Sequence, residues 1–246
     1  MPKQEEIDYL AHLGEAGVQH ALGKPFTDPN CGMTLAALGA IIALLPPPPG
    51  RLLDLGCGSG WTSVMYAQHG YFVVGQDIAP DMIALANENK RRSGLGHLGF
   101  AVIDYESLDF RDEFDCAVFF DALHHAEDEV AALSSAYRAL KPGGTLITHE
   151  PGEGHATQPD SLEAMRRFGV TERDMPPRHI MRVARRIGFR GARCYPLPDD
   201  IFRASYLSPR AARFPGAAGR AVRCLEYIRY QFHRFARRGG LVVLTK

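Results

Sequence analysis

No apolar run in the chain approaches the roughly 18 residues that a membrane span needs, and the first 30 residues lack a basic start followed by an apolar block. The expectation is a cytoplasmic protein with no membrane span. A net charge of one sign is also missing. The 28 basic side chains are matched by 28 acidic ones, so the molecule as a whole offers no field for gathering nucleic acid, and none is expected as a partner. The cysteines, at 31, 57, 116, 194 and 224, are odd in number and widely spaced, with no Cys-x-x-Cys pair. That excludes a disulfide framework and a thiolate zinc site, and predicts buried thiols in a reducing compartment. No internal repeat is visible, which removes solenoid folds.

What is present is ordinary for a soluble domain with a sizeable core: 246 residues, 46% hydrophobic and 23% charged. That length suits one large α/β domain with additions. The organising stretch is Arg51-Leu-Leu-Asp-Leu-Gly-Cys-Gly-Ser-Gly-Trp-Thr62. Leu52, Leu53 and Leu55 read as a short buried strand. The alternate glycines that follow permit a tight turn where backbone approaches a ligand, and Thr62 to His69 is a helix stopped at Gly70. A second strand, Tyr71 to Asp77, ends on a carboxylate about 20 residues after the first glycine, where an open α/β sheet presents an acid to ribose hydroxyls. The glycines follow Gly-x-Gly-x-Gly, not the Gly-x-Gly-x-x-Gly of dinucleotide folds, so an adenosine-containing ligand other than a pyridine dinucleotide is expected.

Elsewhere the pattern alternates strand and helix, the signature of a parallel sheet. Helices are predicted over residues 4–21, 34–45, 80–92, 127–140, 161–168 and 177–187, and further strands over 99–104, 113–121, 145–149, 189–195 and 240–245. Lys141-Pro-Gly-Gly144 reads as a turn before the fifth strand. Four prolines at 46–49 form a stiff connector, so 1–49 is expected to be an N-terminal helical cap, whose loop at 25–30 is within reach of a site. The remainder, 50–246, is the main domain, with a polar substrate-side loop at 151–175 and a long insertion at 196–239. The insertion carries a helix over 218–238 whose stripe of Val222, Leu225, Ile228, Phe232 and Phe235 is expected to pack on the sheet or on a second subunit of a homodimer. Its arginines 220, 223, 234 and 237 face water or make peripheral contact with an anionic surface.

Three ordered landmarks, Asp54-Leu-Gly-Cys-Gly-Ser-Gly60, Gly75-Gln-Asp-Ile-Ala-Pro-Asp-Met82 and Leu140-Lys-Pro-Gly-Gly-Thr-Leu146, resemble the class I S-adenosylmethionine-dependent methyltransferases of small-molecule type, over roughly residues 40 to 195. The resemblance implies a Rossmann-like, mostly parallel seven-stranded sheet of order 3-2-1-4-5-7-6, with the last strand antiparallel. It also implies S-adenosyl-L-methionine as cofactor and S-adenosyl-L-homocysteine as product. Residue by residue, Gly56, Gly58 and Gly60 match the loop beside the methionine part and ribose, and Asp54 the leading acid near the amino group. Asp77 matches the ribose acid, Ile78 the residue packing on adenine and Asp104 the acid near the adenine amino group, with Tyr105 and Phe120 beside the ring and the cofactor. Asp54 and Asp104 alone would be indifferent strand ends; their place around one crevice gives them meaning.

On the acceptor side, Phe120-Asp-Ala-Leu-His-His125 resembles the Leu-His-His stretch of quinone and natural-product methyltransferases. A hydroxyl is a weak nucleophile until its proton leaves, and either His124 or His125 is suited to take it, the other turning into helix packing. Asp121 is read as orienting a histidine or holding substrate hydroxyls. Glu150 and His155, in His149-Glu-Pro-Gly-Glu-Gly-His155, are candidate substrate contacts. The stretch His149 to His155, with His124 and Asp121, offers enough nitrogen and oxygen ligands for a divalent metal, but the spacing is no recognised metal motif, and no metal is expected. Asn-Pro-Pro-Tyr and Asp-Pro-Pro-Tyr, associated with methylation of nitrogen, are absent after the fourth strand. The expectation is O-methylation of a sugar, polyketide or similar hydroxyl; an NAD(P)-binding oxidoreductase and a non-catalytic S-adenosylmethionine-binding protein are the alternatives.

Overall fold

The computed structural model describes residues 2–206, 210–232 and 239–246. Its strands are β1 (Arg51–Leu55), β2 (Phe72–Asp77), β3 (Leu98–Val102), β4 (Phe114–Phe120), β5 (Leu140–Glu150), β6 (Gly191–Pro196) and β7 (Gly240–Thr245). They form one sheet of order β3-β2-β1-β4-β5-β7-β6. Strands β1 to β5 pair in parallel, while β7 runs antiparallel to both β5 and β6, as the motifs implied. The helices are α1 (Pro2–Gly23), α2 (Cys31–Leu44), α3 (Trp61–His69), α4 (Pro80–Ser93), α5 (Glu129–Ala139), α6 (Pro159–Phe168), α7 (Pro177–Ile187), α8 (Pro198–Ser205) and α9 (Gly216–Phe232).

Alternation along β1 assigns its leucines to two cores. Leu53 and Leu55 pack with Leu133 and Ala136 of α5 and Ile180 and Ala184 of α7, whereas Leu52 packs with Ile41 of α2 and Tyr66 and Ala67 of α3. Each fully buried leucine of this kind stabilises the fold by roughly 1.5–3 kcal/mol. Helix starts follow local chemistry. Asp128 accepts the N–H groups of Val130 and Ala131 and so caps α5, and Pro80 opens α4, which ends on Gly94 at φ 67°. Sheet order reverses between β2 and β4 on either side of β1, and it is at the carboxyl end of this switch point that an open sheet binds ligands.

Three local expectations are corrected. Lys141 to Gly144 is not a turn ahead of the fifth strand but an irregularity inside β5. Phe114 pairs with Leu140 and Cys116 with Thr145, so the extra residues bulge out, with Gly143 at φ 79°. Helix α1 is two helical segments joined at Gly14, whose φ of 62° and ψ of −157° break the spiral. Not every thiol is buried: Cys57 and Cys116 are, whereas Cys224 is exposed.

The insertion adds α8 and α9. Helix α9 packs on α8 and on the short turn Ala211–Arg213, and α8 packs on α2. Leu225 and Ile228 stay 66% and 44% exposed, so that part of the expected stripe does not pack on the sheet. Phe235, Arg234, Arg237 and the side chain of Phe232 lie outside the described residues. No helix among the described residues is long and apolar enough to cross a membrane.

Candidate active site

A cavity of about 380 Å³ opens at the carboxyl end of β1, β2 and β4. Its floor is the glycine loop. Gly56, at φ 69°, passes so close to the segment after β4 that a Cβ on it would stand 2.6 Å from the Ala122 Cβ; Gly58, at φ 52°, has nothing within 4 Å of that position and faces open space. Asp77 at the end of β2 locks the loop. Its Oδ2 accepts the Gly58 N–H at 2.8 Å and its Oδ1 the Ala79 N–H at 3.0 Å, while the carboxylate remains on the cavity wall. Burial raises the Asp77 carboxyl above its usual range, an effect the two backbone donors oppose. Ile78, Met82 and Tyr105 complete an apolar shelf beside it.

Of the other residues singled out for the cofactor, Phe120 lines the cavity, between Trp61 at 5.5 Å edge-on and the His149 ring stacked at 4.9 Å. Three do not line it. Asp54 is buried beneath the loop, where its Oδ2 accepts the hydroxyls of Thr62 and Ser63 at 2.7 and 2.6 Å; burial lifts its carboxyl to about 6 against those two donors. Asp54 therefore ties β1 to the start of α3 instead of facing a ligand. Asp104 is taken by Lys3, whose Nζ lies 2.5 Å from its Oδ2, and it also accepts the Glu106 N–H. Gly60 lies under Phe100, 2.5 Å from where a Cβ would stand, so its smallness serves packing against β3.

The acceptor-side residues divide in the same way. Asp121 and His125 line the cavity; His124, Glu150 and His155 stand behind it. Asp121, half exposed, is in the left-handed region at φ 49°, where a non-glycine residue is strained. Its Oδ1 meets His149 Nδ1 at 3.0 Å. Burial would raise the Asp121 carboxyl, but His149, with help from His124 and Lys24, holds it below the ordinary range. Burial likewise pushes the His149 imidazole down, and Asp121 more than reverses that. Glu150 is fully buried and accepts the N–H groups of Ala122, Leu123 and His124 at 3.2, 2.9 and 3.3 Å, with His124 Nδ1 at 2.8 Å. It shapes the loop after β4 instead of contacting a substrate. His125 Nδ1 donates to the Thr171 carbonyl at 2.7 Å, and despite burial Glu6 and Glu172 lift its imidazole to about 9.

The cap was expected from the sequence, but the residues of α1 that form the roof were not singled out. Glu6, Tyr9, Leu10, Leu13, Gly17, His20 and Ala21 of α1 all line the cavity, spaced as one helical stripe, together with Lys24, Asp28 and Thr34. The loop before α2 therefore does reach the site, through Asp28.

The donor set fits a ribonucleoside carrying a short polar chain: a carboxylate at the ribose distance, a backbone cradle that only glycine leaves open, and an aliphatic and aromatic shelf. Comparison with known proteins agrees. Residues 53–148 match the family described as "Methyltransferase domain". Ubiquinone biosynthesis O-methyltransferases are 36% identical over 103 residues in Cereibacter sphaeroides (strain ATCC 17025 / ATH 2.4.3) and 32% over 109 in Xanthomonas axonopodis pv. citri, covering 39% and 44% of this chain. The matched part spans 39% and 45% of those relatives' own lengths. In structure, phosphoethanolamine N-methyltransferase 2 of Haemonchus contortus, bound to S-adenosyl-L-methionine, superposes with a TM-score of 0.66 at 20% identity, over all of this chain and 59% of that one. Geranyl diphosphate C-methyltransferase of Streptomyces coelicolor A3(2), bound to Mg²⁺, geranyl diphosphate and S-adenosyl-L-homocysteine, gives 0.64 at 17%, over 100% and 97%. Residues 53–148 are thus similar to a methyltransferase domain, and the fold is the one shared by these S-adenosylmethionine-dependent enzymes.

Proposed function

We propose that the protein methylates a hydroxyl of a small-molecule acceptor, with residues 1–49 acting as a helical cap over the site. The observation that carries this reading is the two-sided cavity: glycine loop, Asp77, Ile78 and Tyr105 on one side, His125 and Asp121 with the α1 stripe on the other. The bound donor supplies an electrophilic methyl carbon, so the chain's task is to hold an acceptor oxygen in line and to weaken its O–H bond. Glu150 fixes the loop after β4 by three backbone N–H groups, which sets where His125 and Asp121 stand. Asp121 orients acceptor hydroxyls. His125 faces the acceptor, and since its Nδ1–H is committed to the Thr171 carbonyl, Nε2 is the nitrogen that meets the acceptor oxygen; with the imidazole lifted to about 9, it takes the acceptor's proton increasingly well as pH rises toward that value. A cavity of about 380 Å³ under a helix suits a metabolite. The relatives named as O-methyltransferases, matched over 103 and 109 residues, favour oxygen. The five free cysteines fit a cytoplasmic location.

Incubation with methyl-labelled donor and a panel of phenols, sugars and polyketides, read by mass spectrometry, tests the proposal. The expected result is a single added methyl on oxygen. Methyl found on nitrogen or carbon overturns the oxygen assignment, and donor binding without turnover anywhere in the panel favours a binding protein. His125→Ala should lower turnover by roughly 10²–10⁴ with donor affinity little changed; unchanged turnover removes His125 from the chemistry.

A further inference from the structure

Behind the cavity wall lies a cluster whose composition the donor crevice does not explain. His124, His125 and Glu172 each present one ligand atom, and these atoms lie within 4.8 Å of one another. Both imidazoles are anchored by the same nitrogen. His124 Nδ1 is 2.8 Å from Glu150 Oε2, and His125 Nδ1 is 2.7 Å from the Thr171 carbonyl oxygen. A carboxylate and a backbone carbonyl only accept, so each ring presents its Nδ1–H to its anchor and leaves Nε2 as the nitrogen that a metal can take. Rings held from behind in this way, one by a carboxylate and one by a main-chain carbonyl, are what metal-ligating histidines require.

The third corner is equally prepared. Glu172 Oε2 stands 3.8 Å from His124 Nε2 and 2.6 Å from His155 Nε2, so His155 steers the carboxylate toward His124. Three carboxylates, Glu6, Glu150 and Glu172, are at most 19% exposed here, and among the described residues no lysine or arginine pairs with any of them. Carboxylates gathered out of water favour a cation among them.

We propose that His124, His125 and Glu172 hold a divalent transition-metal ion, zinc(II) being the probe of choice, with the remaining coordination positions open to the cavity through the His125 side. Two nitrogens and one oxygen suit zinc, manganese or iron(II) and disfavour magnesium, which takes oxygen donors. Ligand atoms about 2.0–2.2 Å from a metal stand roughly 3–4 Å apart, so closure over the ion needs side-chain movement on the order of 1 Å. Three protein ligands with open positions is the pattern of a site that receives a further oxygen. With the ion bound, His125 Nε2 is a ligand and the ion takes that nitrogen's place against the acceptor hydroxyl; this use of the ion rests on the acceptor reading given under Proposed function, whereas the binding of the ion does not.

The test is calorimetric titration of chelator-stripped, full-length protein with Zn²⁺, then Mn²⁺ and Mg²⁺, together with the visible spectrum of the Co²⁺ form. Glu172→Gln and the double variant His124→Ala/His125→Ala are compared with His69→Ala, a histidine outside the cluster, and each variant is titrated with S-adenosylhomocysteine to show that it is folded. The expected result is one Zn²⁺ per chain, weakened at least 10-fold in Glu172→Gln and lost in the double variant, retained in His69→Ala, with Mg²⁺ binding far weaker. Absence of stoichiometric Zn²⁺ binding overturns the site, as does binding that survives both cluster variants. Zinc bound as described in a protein that transfers no methyl to oxygen would sink the acceptor reading and leave the metal site standing.

Discussion

Asp77 and Gly58 are joined across the floor of the cavity: the carboxylate at the end of β2 accepts the N–H of the middle loop glycine at 2.8 Å, although 19 residues separate them. The bond makes the glycine loop and the Asp77 carboxylate one unit. It also divides the carboxylate's capacity, since each oxygen keeps a lone pair for a ligand after accepting its backbone hydrogen.

Asp77→Asn is therefore expected to weaken binding of S-adenosylhomocysteine by roughly 10–100-fold, the equivalent of losing hydrogen bonds to a charged acceptor. Calorimetry of the variant against the parent reads it. Affinity within twofold of the parent would remove Asp77 from the donor site.

Gly56→Ala combines two penalties, a methyl group 2.6 Å from the Ala122 Cβ and an L-residue at φ 69°. Donor affinity should fall by at least 10-fold, with stability lower by about 1–3 kcal/mol in denaturant melts. A variant equal to the parent in both would mean that the loop does not approach Ala122 so closely.

Asp54 sets a pH dependence. Its carboxyl rises from 3.8 to about 6 in the fold because burial disfavours its charge. The folded state therefore holds a proton that the unfolded state has released, and stability is lost as pH climbs from about 4 to about 6, by about 3 kcal/mol in all. Asp54→Asn keeps an oxygen for the hydroxyls of Thr62 and Ser63 without a charge. The gap in unfolding free energy between variant and parent should widen in the variant's favour across that window and then stay flat. A gap that is constant from pH 4 to 7 would contradict a lifted Asp54.

Glu150→Ala would strip partners from the backbone N–H groups of Ala122, Leu123 and His124 and from the His124 ring, all in the interior. The expected loss is about 3–5 kcal/mol, a fall in Tm of roughly 10 °C by scanning calorimetry. A fall under about 2 °C would mean that water replaces the carboxylate at no cost and that Glu150 does not shape the loop.

The sheet was legible because its signals are local. Leu52, Leu53 and Leu55 ahead of the glycines, Asp77 closing β2 and Asp104 just beyond the end of β3 mark strand ends whatever surrounds them, and the family resemblance implied the strand order found. Residues whose meaning depends on a distant partner were harder. Asp104 looked like a ligand contact because nothing local shows that Lys3, 101 residues away, takes its carboxylate. Asp54 looked the same until Thr62 and Ser63 folded over it. The α1 stripe from Glu6 to Ala21 has helical spacing, yet its mixed polarity marked no face until the helix lay over the crevice. Glu172 sits in a polar segment without periodicity, and only the approach of His124 and His155 gives it a role. His149 and Asp121, first grouped with His124 as possible metal ligands, are bonded to each other.

The central claim is that the glycine loop and Asp77 form a site for an adenosyl donor. Isothermal titration of the purified chain with S-adenosyl-L-homocysteine, and in parallel with NADH, tests it most directly. The account predicts saturable binding of one S-adenosylhomocysteine per chain and no heat from the dinucleotide. Binding of NADH with none of S-adenosylhomocysteine or S-adenosylmethionine would contradict it.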